Sequence, residues 1–393
     1  MTSTPKWPKR RLGEVADLCL GKMLDKKKNR GELHPYLGNI HVRWGAFDLE
    51  DLPEMRFQEH EHERYGLKRG DLVVCEGGEP GRCALWNDQV PNMKIQKALH
   101  RVRPHECLDS RYLLYWFLWA GQRSYFDQFF TGATIKHLPG EKLAKVEIDL
   151  PDLPTQRKIA GILSAYDDLI ENNLRRIKIL EEMAQSLYRE WFVHFRFPGH
   201  ESAKFVDSEL GRIPKGWEVT SLGDLVEIRK GKNITKNTIR EGNIPVVAGG
   251  LTPAYYHDTA NTVAPVVTIS ASGANAGFVN IYFDDVWASD CSFFDRKATP
   301  DVFYFFLTLI SRQNEVTGLQ RGSAQPHVYP KDLMALEALN VPQEIRDDFT
   351  QKVTPLFESV RNLHARNQTL RHTRDLLLPK LLSGDENLHG IRP

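Results

Sequence analysis

The sequence predicts a mixed α/β (α+β) chain. Two globular domains related by an internal repeat are set apart by two long helices that form an antiparallel coiled coil. Three observations predict this. Landmarks of the first half return in the second half at a long period. Within each copy, short apolar runs alternate with helix-like segments and turn residues, the pattern of mixed α/β structure. After each copy comes a long charged stretch whose apolar residues recur at alternating three- and four-residue steps. At 393 residues the chain divides naturally into two or three domains. The expected boundaries are 1–153 for the first domain, 154–200 for the central helix, 201–341 for the second domain and 342–393 for the C-terminal helix.

The repeat is read landmark by landmark. "WPKRRLGEVADLCLGK" returns as "WEVTSLGDLVEIRKGK", matching Trp7 with Trp217, Leu12-Gly13 with Leu222-Gly223 and Gly21-Lys22 with Gly231-Lys232. "GDLVVCEGGEPGRCALW" has its partner in "PVVTISASGANAGFVNI", each a β-branched run, a Gly-rich loop and a second apolar strand. "DSRYLLYWFLW" pairs with "TPDVFYFFLTL"; Asp109-Ser110 and Thr299-Pro300 are the helix-start signals before aromatic-rich helices. "TGATIKHLPGEKL" and "RGSAQPHVYPKDL" align Gly132, His137 and Leu143 with Gly322, His327 and Leu333. Each copy closes on an apolar-Pro pair, Leu153-Pro154 or Val341-Pro342, before its long helix. Between these landmarks the copies diverge strongly, as one scaffold with two different working surfaces would.

The first long stripe runs through Ile159, Ile162, Tyr166, Ile170, Leu174, Ile177, Leu180, Ala184, Leu187 and Trp191. The second runs through Phe349, Val353, Leu356, Val360, Leu363, Asn367, Leu370, Arg374, Leu377 and Leu381. Stripes so narrow and long are coiled-coil seams. Each helix could pack on its own domain instead. Pairing is expected because each stripe is too long for one small domain to cover. Pro355 either kinks the second helix or marks its first turn, and Gly384 is its expected C-cap. Asn367 either sets register on the seam or is exposed.

Composition narrows the function. Hydrophobic content of 41% and charged content of 26% are those of an ordinary folded protein. Five scattered cysteines form no C-x-x-C pair, which fits a reducing, cytoplasmic compartment. The basic N-terminus has no apolar core after it, and "YLLYWFLWAG" and "VFYFFLTLI" reach about half of a membrane span, so both read as buried helices. A net charge of +1 makes any nucleic-acid surface local, or shared with a partner. Catalytic signatures are missing from the sequence: no G-x-x-x-x-G-K-[ST], no G-x-G-x-x-G, no G-x-S-x-G, and no Asn/Asp-Pro-Pro-aromatic motif of an amino-methyltransferase. "CEGGEPGRC" is Gly-rich but lies between strands, with no helix N-terminus to meet a phosphate. In "QEHEHERYG", His60 and His62 would share one side of an extended segment and could hold a metal. It reads instead as a solvated charged loop, and no metal is expected.

The segments "RIPKGWEVTSLGDLVEIRKGK", "LPTQRKIAGILSAYDDLIENNLRRIKILEEMAQSLYREWFVHF" and "LRHTRDLLLPKLLSGD" carry a family resemblance. With this layout, the chain resembles the specificity subunit of Type I restriction–modification systems over essentially its whole length. The resemblance implies two target recognition domains, each reading one half of a split, asymmetric site on double-stranded DNA. It implies helices that space the domains and dock two methyltransferase subunits, with motor–nuclease subunits joining for cleavage. S-adenosylmethionine, ATP and Mg would belong to those partners, leaving this chain without a cofactor or a catalytic residue of its own. Two alternatives from other classes remain at this point: a coiled-coil scaffold with two protein-binding domains, and a chain that is itself a nuclease or methyltransferase.

DNA contact needs cations for phosphates and planar hydrogen-bonding groups for base edges. The first domain offers Lys22, Lys26, Lys27, Lys28 and Arg30 on a Gly-bounded loop, followed by Arg43 and Trp44. The second offers Lys230, Lys232, Asn233 and Lys236 at the matching place. Lys136 and His137 face Gln325 and His327 across the repeat, with Arg321 beside them, and Gln pairs naturally with adenine. The two histidines serve either contact or a structural turn. On the central helix, Glu171, Arg175, Lys178, Glu182 and Arg189 form the charged outer face where a methyltransferase contact is expected.

Overall fold

The computed structural model describes residues 7–25, 29–235, 237–322 and 325–384. The chain forms two compact units, residues 1–172 with 367–393, and residues 173–366. Both long helices are therefore divided, and each unit contains part of each.

The first unit is built on an antiparallel sheet of β1 (Ala16–Leu20), β2 (Leu72–Cys75), β3 (Cys83–Leu85) and β4 (Leu99–Pro104), in the order β1-β4-β2-β3. Successive strand residues face opposite ways. Leu72 and Val74 enter the core with the helices, while Val73 and Cys75 enter a second core with Leu37, Trp86 and Ile95. Both faces are covered, which is why "LVVC" is apolar throughout. A smaller sheet pairs Glu32–Leu37 antiparallel with Glu54–Phe57 and parallel with Lys94–Ile95. Helix α1 (Ser110–Gln122) starts where the sequence places it: the Asp109 carboxylate accepts from the Arg111 and Tyr112 N–H groups at 3.0 Å each. Its aromatic run is buried, as expected.

The second unit repeats this plan. β5 (Arg229–Lys230), β6 (Val266–Ser270), β7 (Val279–Tyr282) and β8 (Cys291–Asp295) form a sheet in the order β5-β8-β6-β7, antiparallel throughout. Beside it, Ile244–Val247 pairs antiparallel with Tyr255–His257 and parallel with Trp287–Ala288. The counterpart of α1 here, α3, spans Val302–Ser311 and so begins later than the Thr299-Pro300 signal. The Thr299 hydroxyl accepts from the Asp301 N–H at 3.1 Å, which spends it on the turn before the helix.

Two long helices, α2 (Leu153–Tyr188) and α4 (Gln343–Ser383), pack together within each unit. In the first unit Ile159, Ile162 and Leu163 share a core with Leu378, Leu381 and Leu382, and Asp167 pairs with Arg374. In the second, Ile177 meets Val360 and Leu363. Beyond it, a π turn at Arg189–Val193 sets Trp191 and Phe192 at 5.6 and 4.8 Å from Phe349. In both units residue numbers rise along one helix as they fall along the other, so the pairing is antiparallel.

The buried stripe departs from the expected one in places. Leu174 is 43% exposed while Asn173 is 9% exposed, and Phe357 and Leu378, at 2% each, are buried more deeply than their neighbours Leu356 and Leu377. An α-helix turns every 3.6 residues, so a strict heptad reading drifts off the contact face. Arg374 holds its seam position through a carboxylate rather than apolar contact. Asn367 is buried, at 1% exposure. Pro355 lies well inside the continuous α4 and is not in its first turn. Gly384, at φ +74°, follows the last helical residue, as expected of a C-cap. Among the described residues no helix is long and apolar enough to cross a membrane.

Candidate nucleic-acid interface

Three loops converge in each unit at corresponding edges of the sheet. The first is a closed loop. In the first unit Thr131 and His137 exchange two backbone hydrogen bonds of 2.8 Å; in the second, Arg321 and His327 exchange two of 2.9 Å. The glycine after the first residue of each pair adopts a left-handed conformation, Gly132 at φ +90° and Gly322 at φ +94°. A β-carbon there would sit 2.2 Å from the Ile135 carbonyl oxygen or 2.9 Å from that of Gln325. This is why glycine recurs with the histidine: together they close the loop. The second loop is the Gly-rich connection of β2–β3 or β6–β7. It receives the first loop through Leu138 N–H to the Glu76 carbonyl at 2.8 Å, and through Val328 N–H to the Ala271 carbonyl at 3.0 Å.

A third loop follows the central strand of each smaller sheet, residues 38–44 or 248–254. In the first unit the Arg82 guanidinium donates to the Asn39 carbonyl at 2.8 Å and to Glu79 at 2.8 Å. Trp44 Nε1 donates to the same Glu79 at 2.6 Å. In the second unit Ser270 Oγ and Asn275 Nδ2 reach the Gly249 carbonyl at 3.0 and 3.4 Å. From beneath, the ring of His100 lies 2.9 Å from the Leu138 carbonyl. Burial lowers the pKa of His100 against that bond, which favours the neutral ring.

The candidate side chains sort by exposure. Arg30, Lys136, His137, Lys230, Lys232, Asn233, Arg321 and Gln325 are exposed, and His327 is half-buried with its ring stacked 6.0 Å from that of Tyr329. Lys136 lies 3.7 Å from Asp127, and Arg321 pairs with Asp332 at 2.6 Å. Lys26, Lys27, Lys28 and Lys236 lie outside the described residues. Lys22 is buried within the fold, whereas Arg43 and Trp44 are exposed and also make internal contacts. Lys22 is 3% exposed; its amine donates to the Arg56 carbonyl at 2.8 Å and to Glu61 at 2.5 Å. Trp44 lies over Gly121, where a β-carbon would meet the ring at 2.3 Å. Arg43 pairs with Asp48 at 3.2 Å and bonds the Ile40 carbonyl.

The "QEHEHERYG" segment is not extended. Glu59–Glu61 forms a 3-10 turn and His62–Tyr65 a short helix, so the alternation that would set His60 and His62 on one side does not arise. Burial works to raise the Glu61 pKa, but the bonds from Lys22 and the Gln58 N–H hold it below the ordinary carboxylate range. The ring of His62 packs edge-on against His34 at 4.6 Å. Among the described residues no group of three or more His, Cys, Asp or Glu is placed to hold a metal ion.

The model of the Type I restriction modification DNA specificity domain matches residues 5–182 and 214–345, more than half of the chain. The Type I restriction enzyme MjaIX specificity subunit of Methanocaldococcus jannaschii is 29% identical over 81% of this chain and 78% of its own length. The HindI specificity subunit of Haemophilus influenzae is 21% identical over 89% and 92%. A solved Type I restriction–modification S subunit from M. genitalium shares the fold, with a TM-score of 0.59 at 17% identity and 97% of each chain covered. The chain therefore belongs to the family of Type I restriction–modification specificity subunits and is the DNA specificity component of such a system rather than its catalytic subunit.

Proposed function

We propose that each of the two domains reads one half of a bipartite, asymmetric site on double-stranded DNA, and that the paired helices set the distance between the halves. One observation carries this reading: the same three-loop platform stands on the same sheet in both units, but with different side chains. A symmetric pair of readers would present equal surfaces to a palindrome; Lys136 and His137 opposite Gln325 and His327 do not. The exposed set (Arg30, Lys136, His137, Lys230, Lys232, Asn233, Arg321, Gln325, His327) supplies phosphate and base contacts. Arg43 and Trp44, exposed on the third loop, join this set, while the buried Lys22 ties Glu61 to the Arg56 carbonyl and so supports the fold around it. The working division is 1–153 and 201–341 for the readers, with 154–200 and 342–393 for the helices.

The helices also dock two methyltransferase subunits, and motor–nuclease subunits join the assembly. Glu171, Arg175, Lys178 and Glu182 on α2, with Arg189 in the π turn that follows, form a charged outer face on which Lys178 and Glu182 lie 4.0 Å apart. Leu174, Ile179 and Met183 are 43%, 54% and 51% exposed beside them, an apolar share that suits a protein contact better than bare solvent. S-adenosylmethionine, ATP and Mg act on those partners. The assembly works in the cytoplasm, where host DNA is modified. Methylation-sensitive sequencing of cells carrying the whole system tests the reading. Two different specified segments flanking a fixed unspecified spacer are expected; one contiguous or palindromic site would overturn it.

A further inference from the structure

Asn39 and Gly249 occupy one backbone position in the two domains. The residue two before each closes the same strand pair: Gln96 N–H donates to the Leu37 carbonyl at 3.0 Å, and Ser289 N–H to the Val247 carbonyl at 2.8 Å. The carbonyl of Asn39 is then gripped from the Gly-rich loop by Arg82 at 2.8 Å, with Cys75 Sγ at 4.0 Å. That of Gly249 is gripped by Ser270 and Asn275. The clamp is shared, and the side chain is not. In the second domain a β-carbon on Gly249 would lie 2.8 Å from the Ser272 carbonyl oxygen, so the position is closed to any side chain.

In the first domain that position carries a carboxamide. We infer that Asn39 is a specificity-determining residue of the first domain, presenting its amide to an adenine edge; this rests on the reading of each domain as a DNA half-site reader. Asn39 opens the 3-10 turn Asn39–His41, pinned by the Gly38 N–H donating to His41 Nδ1 at 2.9 Å. Its Nδ2 lies 3.5 Å from the Gly77 carbonyl, at the limit of a hydrogen bond. Its Oδ1 has no partner among the described residues. The backbone is thus clamped at the meeting point of the three loops, while the half-buried amide keeps one long internal bond and a free Oδ1 edge among the described residues. Beyond Gly77 stands His137, whose Nδ1 is 3.2 Å from where a Gly77 β-carbon would lie; the next residue, Ile40, is 66% exposed. A carboxamide donates to adenine N6's neighbour N7 and accepts from the N6 amine, a pairing no other base offers in the major groove. Because the backbone is already clamped, little conformational freedom is lost on contact.

The test uses the complete restriction–modification complex and compares site profiles of the parent, Asn39→Ala and Asn39→Asp. Asn39→Ala is expected to reduce discrimination at one adenine of the first segment by roughly 5- to 150-fold, leaving the second segment intact. Asn39→Asp keeps the shape but loses the donor, and should move preference at that position from adenine toward cytosine. Neither removes a strong internal bond, so folding is preserved. Two specified segments with unchanged profiles in both variants would overturn the role of Asn39 alone. A parent profile lacking two segments would overturn the two-reader assignment beneath it.

Discussion

Lys22 and Lys232 follow the same glycine in the two copies and make the same backbone bonds, to Ile95 and to Ala288, at 3.0 and 2.9 Å. Their side chains have opposite fates. Lys232 is exposed; Lys22 is covered by the turn that carries Glu61. A buried amine without its counter-charge is strongly destabilising, so Glu61→Gln should cost about 3 kcal/mol, read as a lowered melting temperature. The pH dependence has a definite sign. Because the folded Glu61 pKa is depressed, its stabilisation is fully present above the ordinary carboxylate pKa and is lost as pH falls through the folded value. Parent and variant melts should therefore lie furthest apart near neutral pH and converge in acid; an equal gap at both would remove the ion pair as its source. Sequence could not reveal this difference. The Gly-Lys recurrence reports the backbone, whereas the partner of Lys22 lies 39 residues away in a segment without periodicity. Asn39 was equally hidden, since its importance comes from a clamp supplied by Arg82.

Among elements, what was legible had a local cause. The aromatic helices, the strand pairs around Gly-rich loops and the Gly–His loops all arise from short-range patterns. The exact seam was not, because the slip from Leu174 to Asn173 is a matter of one residue in a helix whose period is not seven. The closed loop carries an element-scale prediction. Gly322→Ala forces a side chain into a left-handed conformation with its β-carbon 2.9 Å from the Gln325 carbonyl oxygen, a strain of about 1–3 kcal/mol. The loop should open, and Gln325 should lose its fixed position. Competition binding with base substitutions in each half-site is expected to show weakened discrimination in the second half-site and none lost in the first. Equal loss in both would mean that this loop supports folding rather than reading.

At the scale of the whole molecule, the spacer role proposed for the antiparallel helices makes them a ruler whose graduations can be compared with those of DNA. Inserting matched heptads into α2 after residue 172 and into α4 before residue 367 extends the seam, because each heptad returns its face to within about 20°. Three heptads lengthen a helix by about 31 Å at its rise per residue, or about nine base pairs of duplex at 3.4 Å each. That is close to one helical turn of DNA, about 10 base pairs, so the second half-site would keep nearly its original rotation about the duplex. Two heptads add about 21 Å, or about six base pairs, more than half a turn. The second half-site would then be rotated to the far side of the duplex. The complex carrying the three-heptad variant is expected to methylate sites whose spacer is about nine base pairs longer, with both half-site sequences unchanged. The two-heptad variant is expected to lose most activity at every spacer length. Length alone predicts graded shifts in both variants, so equal activity of the two would show that the helices tether the readers without holding their orientation.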